Sequence, residues 1–386
     1  MTERAYLDWN ATAPMRPQAR AAMIAALDAV GNPSSVHAEG RAARLIVETA
    51  REAVAALVGA EPRNVVFTAS GTEANILALS PRTGRGCARL LMSAIEHPSV
   101  RSGGRFAGSA VETVAVAPDG VVDLARLEAR LATLTAERVR PLVSIMLANN
   151  ETGIVQPVSE AARLVHQADG LLHVDAVQAA GRIACDIKAL GADLMTLSGH
   201  KIGGPKGVGA LVRRDGALGV DPLVTGGGQE RGVRAGTENV AAIAGLGAAA
   251  AVAAAQLTPE SARMRALRDW LETSLRQAAP GAVIFGAEAC RLPNTTLFAA
   301  PGLKAETAVI AFDLEGVAVS SGAACSSGKV APSHVLAAMG VSSQFARGAV
   351  RVSLGPTTTE GDIERFLAAW IKVSGALLNK AKGIAA

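Results

Sequence analysis

Aromatic residues are scarce in this chain, making up 3% of its 386 residues, with a single tyrosine. Cysteine is used four times, at Cys87, Cys185, Cys290 and Cys325, and no two share a CxxC spacing. Neither a zinc ribbon nor a disulfide framework is expected from that pattern. Basic runs are missing as well: the net charge is +4, and Lys and Arg are scattered without interleaved aromatics. Nucleic-acid binding needs clustered charge against phosphates, so no nucleic-acid partner is expected. Long hydrophobic runs are also absent. The longest, "VAAIAGLGAAAAVAAA" from Val240 to Ala255, falls short of the roughly 20 residues that a membrane-spanning helix needs. It reads as a buried helix. The opening "MTERAYLDWN" has no apolar signal core. Together these absences lead to the expectation of a cytoplasmic protein in a reducing compartment, without a membrane partner.

What the chain does have is apolar bulk, 49% hydrophobic residues, carried by Ala, Val and Leu. Its length suits two or three domains of about 100–200 residues each. From about residue 50 to 215, short β-rich runs alternate with helical segments. The runs are "NVVFTA", "RLLMSAI", "VETVAVA", "LVSIMLA", "LLHVDA", "LMTLSG" and "GALVRR". Between them lie segments such as "DLARLEARLATL", apolar at helical spacing. Such alternation predicts an α/β fold, a mostly parallel seven-stranded sheet flanked by helices, with ligands bound at the carboxyl ends of the strands. "QLTPES" is the expected junction to a smaller C-terminal α+β domain. The expected division is residues 1–15 as a segment packing on the small domain, 16–256 as the large domain and 257–386 as the small one. The terminal helix is expected to open on a capping box of Thr357 and Glu360, with Ile363, Phe366, Leu367 and Trp370 on its buried face.

Three strand ends carry candidate chemistry. "NVVFTASGTEAN" is a strand, a turn and a helix start; its Gly71 lets an anion approach backbone N–H groups, and Thr72 adds a hydroxyl. An ordinary helix cap reads the same way. "LLHVDAVQAAG" ends a strand on Asp175 with Gln178 three residues on, a pattern that fits a helix cap or a partner for a buried cation. "LMTLSGHKIGGPKGVGAL" runs from a strand into Ser198, His200 and Lys201. A lysine desolvated in a pocket forms Schiff bases with carbonyls. Lys206, after a proline in the turn, is the competing lysine and fits an exposed position better. An anion site, a carboxylate for a ring nitrogen and a Schiff-base lysine together make the protein half of a pyridoxal 5'-phosphate site.

Across nearly its whole length the chain resembles the cysteine desulfurases, relatives of the class-V aminotransferases in fold type I. The resemblance is to the NifS/IscS-like, long-loop branch. It is carried by "YLDWNATAP", "GNPSSVHAEGR", "SGTEAN", "EHPSV", "NNETGIVQP", "HVDAVQ", "SGHKIGGPKGVGAL", "GGGQERGVRAGTEN", "SSGAACSSG" and "VRVSLG", in that order. The resemblance implies that Lys201 forms the Schiff base with the cofactor. It places Asp175 on the pyridine nitrogen, Gln178 on the phenolic oxygen and His97 stacked on the ring, in reach of a proton. Gly71, Thr72, Ser198 and His200 would hold the phosphate, and Thr237 would reach it from the partner subunit of a homodimer. Asn150 and Arg351 would bind the substrate carboxylate. Read from sequence alone, His97 also fits a helix-capping or core histidine, and Asn150 and Asn149 also fit turn residues. Arg351, inside the alternation "VRVSL", faces inward and needs a partner.

Cys325 sits in "SSGAACSSGK", where nothing is bulky enough to bury it. The resemblance makes it the sulfur acceptor: L-cysteine would give L-alanine and a persulfide on Cys325. The sulfur would go to an iron–sulfur scaffold or another thiolation acceptor, with Cys325 a transient iron–sulfur ligand. Cys87, Cys185 and Cys290 are read as inert surface thiols. The chain departs from the family pattern at Ile76 and Pro356. Two other readings remain open. An aminotransferase or a selenocysteine lyase of the same fold has no need of Cys325. A non-enzymatic sulfur-relay scaffold has no need of Lys201, Asp175 and His97.

Overall fold

The computed structural model describes residues 4–322 and 333–383. Cys325 lies outside the described residues. A two-residue strand, β1 (Ala5–Tyr6), precedes seven strands of one sheet: β2 (Val65–Thr68), β3 (Arg89–Ser93), β4 (Val111–Val114), β5 (Pro141–Ser144), β6 (Leu171–Asp175), β7 (Leu194–Ser198) and β8 (Gly209–Arg213). Their order across the sheet is β2-β8-β7-β6-β5-β3-β4. Only β8 runs against its neighbours; the remaining pairs are parallel. Strands β2, β5, β6, β7 and β8 are buried at every position. Helices cover both faces, so these strands read as unbroken apolar runs rather than as alternation.

The Val240–Ala255 helix is indeed buried, against helices Pro17–Leu27 and Ala38–Leu57. Its small residues allow the approach: a Cβ on Gly247 would lie 2.5 Å from Ala50 Cα. Among the described residues no single helix is long and apolar enough to cross a membrane. At "QLTPES" the chain bends by 73° and the next helix, Leu257–Ala278, starts at once. Pro259 falls in its first turn, where the missing N–H costs nothing.

A second sheet has the order β12-β13-β10-β9, from β9 (Val283–Ile284), β10 (Thr295–Ala299), β12 (Ser320–Ser321) and β13 (Val350–Ser353). Beside it β11 (Val317–Ala318) pairs in parallel with β1, Ala5 opposite Val317. The scarce aromatics gather here. Phe298 meets Trp370 edge-on at 5.3 Å, and Phe312 stacks on Phe366 at 5.2 Å. Ala5 and Leu7 complete the same core. The terminal helix, Glu360–Gly383, buries Ile363, Phe366 and Trp370, with Leu367 half-buried beside them. Its capping box lies elsewhere than expected. Thr359 N–H donates to Asp362 Oδ2 at 2.8 Å and Asp362 N–H to Thr359 Oγ1 at 3.3 Å, so the pair is Thr359 and Asp362. Thr357 and Glu360 have the right types and spacing, but the helix starts later than that pairing requires.

Candidate active site

Five strand ends converge on one cavity of about 320 Å³. It is lined by Gly71 and Thr72 after β2, His97 after β3 and Asn150 after β5. Asp175 and Gln178 follow at β6, and Ser198, His200 and Lys201 at β7; Arg351 reaches in from β13. These are the residues singled out in the sequence, apart from Thr237 and Cys325. Lys206 is exposed and does not line the cavity.

The anion end is built by local hydrogen bonds. Ser70 caps the Gly71–Ala78 helix, its Oγ accepting Glu73 N–H at 3.1 Å, while Glu73 Oε2 accepts Ala69 N–H at 2.8 Å. This reciprocal cap fixes the first turn and leaves its other N–H groups free for an anion. Gly71 is needed for the cradle: a Cβ there would meet Ser198 Cβ and Val177 Cγ2, both at 3.1 Å. The Ser198 and Thr72 hydroxyls make no hydrogen bond among the described residues, which suits phosphate donors.

At the other end Asp175 accepts Val177 N–H at 3.0 Å and Asn75 Nδ2 at 2.8 Å. The Val177 bond is an Asx turn and not a helix cap, since residues 177–182 form turns and no helix stands between β6 and β7. Lys201 Nζ donates to Ala11 O at 2.9 Å and to Asn10 O. Gln178 Nε2 also donates to Asn10 O, at 3.0 Å. Asn10 itself donates to Thr295 Oγ1 at 2.9 Å, tying the chain's opening segment to the site. Burial, then the Lys201 charge, pushes the His200 imidazole down to about 4, so it is neutral beside Thr12.

His97 is the helix cap that the sequence allowed, on the short helix Pro98–Arg101, with Nδ1 accepting Ser99 N–H at 3.2 Å, and it also faces the cavity. Burial lowers its affinity for a proton, with Asp175 opposing and Lys201 reinforcing. Its neighbour Glu96 is fully buried. Burial, then the Asp175 charge, lifts the Glu96 carboxyl well above the usual range, and one of its oxygens accepts Met146 N–H at 2.6 Å.

Arg351 has the partners its position demands: Asp8 at 2.7 Å and Asn150 O at 2.9 Å. Its buried Nε has no partner among the described residues. Thr237 is exposed and does not line the cavity. Its loop is fixed by two ion pairs, Arg51 with Glu230 at 2.7 Å and Arg234 with Glu73 at 2.9 Å. The second joins the loop to the helix of the anion site. Cys87 and Cys185 are buried rather than at the surface, and burial pushes their thiols up to about 11 and about 12. Cys290 is exposed. Ile76 is half-buried and outside the cavity lining, so that departure leaves the site intact. Pro356 lines a neighbouring cavity, and its carbonyl accepts from Arg263.

Asn10, Asn75, Ser99, Asp8 and Glu96 were not singled out in the sequence. All lie inside motifs that were: "YLDWNATAP", "SGTEAN" and "EHPSV". The available signal was helical spacing, since Asn75 lies one turn after Gly71 and faces the same way.

The cavity fits pyridoxal phosphate by its donor set: N–H groups and hydroxyls at one end, a lysine amine, and a carboxylate at the other end. A curated cysteine desulfurase from Cereibacter sphaeroides is 43% identical over 95% of this chain and 94% of its own length. Cysteine desulfurase IscS from Dictyoglomus turgidum is 38% identical over 95% and 93%. The solved NifS-like protein from Rickettsia africae superposes with a TM-score of 0.86 at 36% identity, covering 97% of this chain and all of the other. The family described as aminotransferase class-V matches residues 5–366, taking in both sheets and every described residue of the site, and the chain belongs to that family.

Proposed function

We propose that this protein is a cysteine desulfurase that uses pyridoxal phosphate. The observation that carries the reading is the convergence of Lys201, Asp175, His97 and Arg351 on one cavity. When bound, the cofactor supplies an electron-withdrawing ring next to the substrate α-carbon. The protein does the rest. The Lys201 amine holds the cofactor and then carries the proton that leaves the α-carbon. The Asp175 carboxylate keeps a proton on the pyridine nitrogen. Gly71, Thr72, Ser198 and His200 hold the phosphate, Gln178 orients the ring and His97 covers it. Arg351 and Asn150 orient the substrate carboxylate. The Cys325 thiolate then attacks the substrate sulfur. The S–S bond forms as the C–S bond breaks, and the carbon skeleton takes up a proton and leaves as L-alanine. L-cysteine and the Cys325 thiol thus become L-alanine and a Cys325 persulfide, with atoms and electrons in balance.

The reading extends to a cytoplasmic homodimer in which Thr237 serves the partner's phosphate site. It also extends to delivery of the sulfur to an iron–sulfur scaffold or another acceptor protein. The deciding experiment incubates the protein with L-cysteine, measures alanine and sulfide, and maps the added sulfur by peptide mass. Wild type should release alanine and carry one reductant-labile sulfur on the Cys325 peptide. Cys325→Ser should still bind L-cysteine with a spectral change yet form almost no alanine. Turnover of Cys325→Ser at the wild-type rate would leave a lyase that needs no protein thiol, and 3-mercaptopyruvate formed with a 2-oxo acid as amino acceptor, in place of alanine, would indicate an aminotransferase.

A further inference from the structure

A hydrogen-bonded chain links His97 to Asp175 through two side chains without an assigned role. His97 Nδ1 lies 2.7 Å from Ser99 Oγ. Asn75 Nδ2 lies 2.9 Å from Ser99 Oγ and 2.8 Å from Asp175 Oδ2. All four residues line the same cavity. Donors and acceptors fix the direction of each bond. Carboxylate oxygens accept, so the amide nitrogen of Asn75 must face Asp175. The second hydrogen of that nitrogen goes to Ser99 Oγ. Oδ1 of Asn75 is left buried without a partner, an orientation only the Asp175 contact explains. A serine oxygen can accept twice, so the direction at His97 is set by the Ser99 backbone N–H: it makes Nδ1 an acceptor, and the Ser99 hydroxyl hydrogen then points at Nδ1. The Ser99 backbone N–H donates to the same nitrogen at 3.2 Å. Nδ1 of His97 thus faces two donors and carries no proton of its own. The ring proton must then sit on Nε2, which makes no hydrogen bond to a described residue.

We infer that Ser99 and Asn75 are positioning residues that hold His97 as the neutral Nε2–H tautomer, so that it enters the reaction as a hydrogen-bond donor at Nε2 rather than as a base. The catalytic consequence rests on the proposed function, whereas the tautomer itself does not. A cationic His97 would need an Nδ1–H pointing at the Ser99 N–H, a donor facing a donor. The charged and titratable groups around the ring are Asp175 at the end of β6, Lys201 after β7, and His334 from the helix His334–Ala338. Burial, the largest effect, and Lys201 work against a proton on His97 while Asp175 favours one, and the Ser99 contacts add to the first side.

The test is long-range proton–nitrogen NMR on the purified protein with ¹⁵N-labelled histidine, His97 being assigned by its absence from His97→Gln. Wild type should show the Nε2–H pattern for His97 at neutral pH. In Ser99→Ala the ring loses one of its two donors. The backbone N–H stays on Nδ1, so the Nε2–H form should remain the major one with a minor Nδ1–H fraction beside it, and the protonation midpoint of His97 should rise by about one pH unit, the worth of one ordinary hydrogen bond. Ser99→Thr keeps a hydroxyl and should restore the wild-type pattern. Asn75→Leu frees the serine hydroxyl to turn and should give a tautomer mixture. An Nδ1–H or cationic His97 in wild type at neutral pH overturns the inference, and needs no variant to be seen. An unchanged spectrum in a folded Ser99→Ala overturns it too. Alanine release by wild type is read separately: turnover with the wrong tautomer defeats only this inference, and the right tautomer without turnover defeats only the desulfurase reading.

Discussion

Arg351 is gripped at two of its nitrogens, by Asp8 and by the Asn150 carbonyl, and keeps Nε unpartnered. A lysine at this place offers one charged point and cannot serve both the grip and a substrate carboxylate. Arg351→Lys should therefore lose about one charge-assisted hydrogen bond to substrate, about 1.5–3 kcal/mol, raising KM for L-cysteine roughly ten- to a hundredfold. The cofactor should stay bound; an unchanged KM in steady-state kinetics would remove Arg351 from the substrate site. The two lysines of the Ser198–Gly209 stretch separate by exposure. Lys201→Ala should abolish covalent cofactor attachment and its visible absorption, and Lys206→Ala should keep both; the reverse result would exchange their roles. Sequence was a good guide at this scale where a side chain's chemistry is tied to a strand end, as at Asp175 and Lys201. It was a poor guide where the role is to hold another residue. Nothing about Asn75 or Ser99 alone distinguishes them from ordinary helix polar residues, and only their shared contacts do so.

The helix Gly71–Ala78 shows how an element makes a site. It is short, and Ser70 and Glu73 fix its first turn. Ser70→Ala should cost about 1 kcal/mol of stability in chemical denaturation. Gly71→Ala tests the cradle directly. Its Cβ would press on Ser198 and Val177 at 3.1 Å, where a phosphate must come close. Dialysis should strip cofactor from this variant faster than from wild type, with little change in the melting temperature of the cofactor-free protein. Equal retention would place the phosphate elsewhere. The elements themselves were legible because a sheet covered on both faces needs apolar strands, and helices between them need a 3.6-residue period. The start of the terminal helix was misread for a different reason. Ser, Thr, Pro and Glu mark a first turn and a loop alike, and packing decides between them.

At the scale of the molecule, buried groups act on the pH range of stability from opposite sides, His173 and Glu151 among them. His173 sits within the main sheet, between Ser144 Oγ at 2.9 Å and Thr196 Oγ1 at 3.0 Å, and burial pushes its imidazole from 6.5 down to about 4. The unfolded chain therefore binds the proton more readily, and stability falls as pH drops from 6.5 towards about 4, by about 3 kcal/mol over that window. Glu151 is buried and accepts from Ser333 Oγ at 2.5 Å, and burial raises its carboxyl from 4.5 to about 7. Here the folded state holds the proton, so stability is lost as pH rises through that interval. Urea midpoints measured against pH should show both slopes, with the acid slope flattened in His173→Gln and the other in Glu151→Gln. A slope that persists in its variant would assign the titration to another group.

Asn10 and its neighbours have a further consequence, one of timing. Asn10 N–H donates to Ser353 Oγ at 3.0 Å, and β1 completes itself only on β11. Asn10 must therefore wait for a residue 343 positions later in the sequence. The main sheet can form while translation continues, but the mouth of the cavity cannot. During that interval the Lys201 amine lacks the two carbonyls that later hold it, Asn10 O and Ala11 O. A nascent chain would thus carry Lys201 before it has the pocket to protect it, and under the proposed function capture of the cofactor becomes a late event in the life of each new molecule.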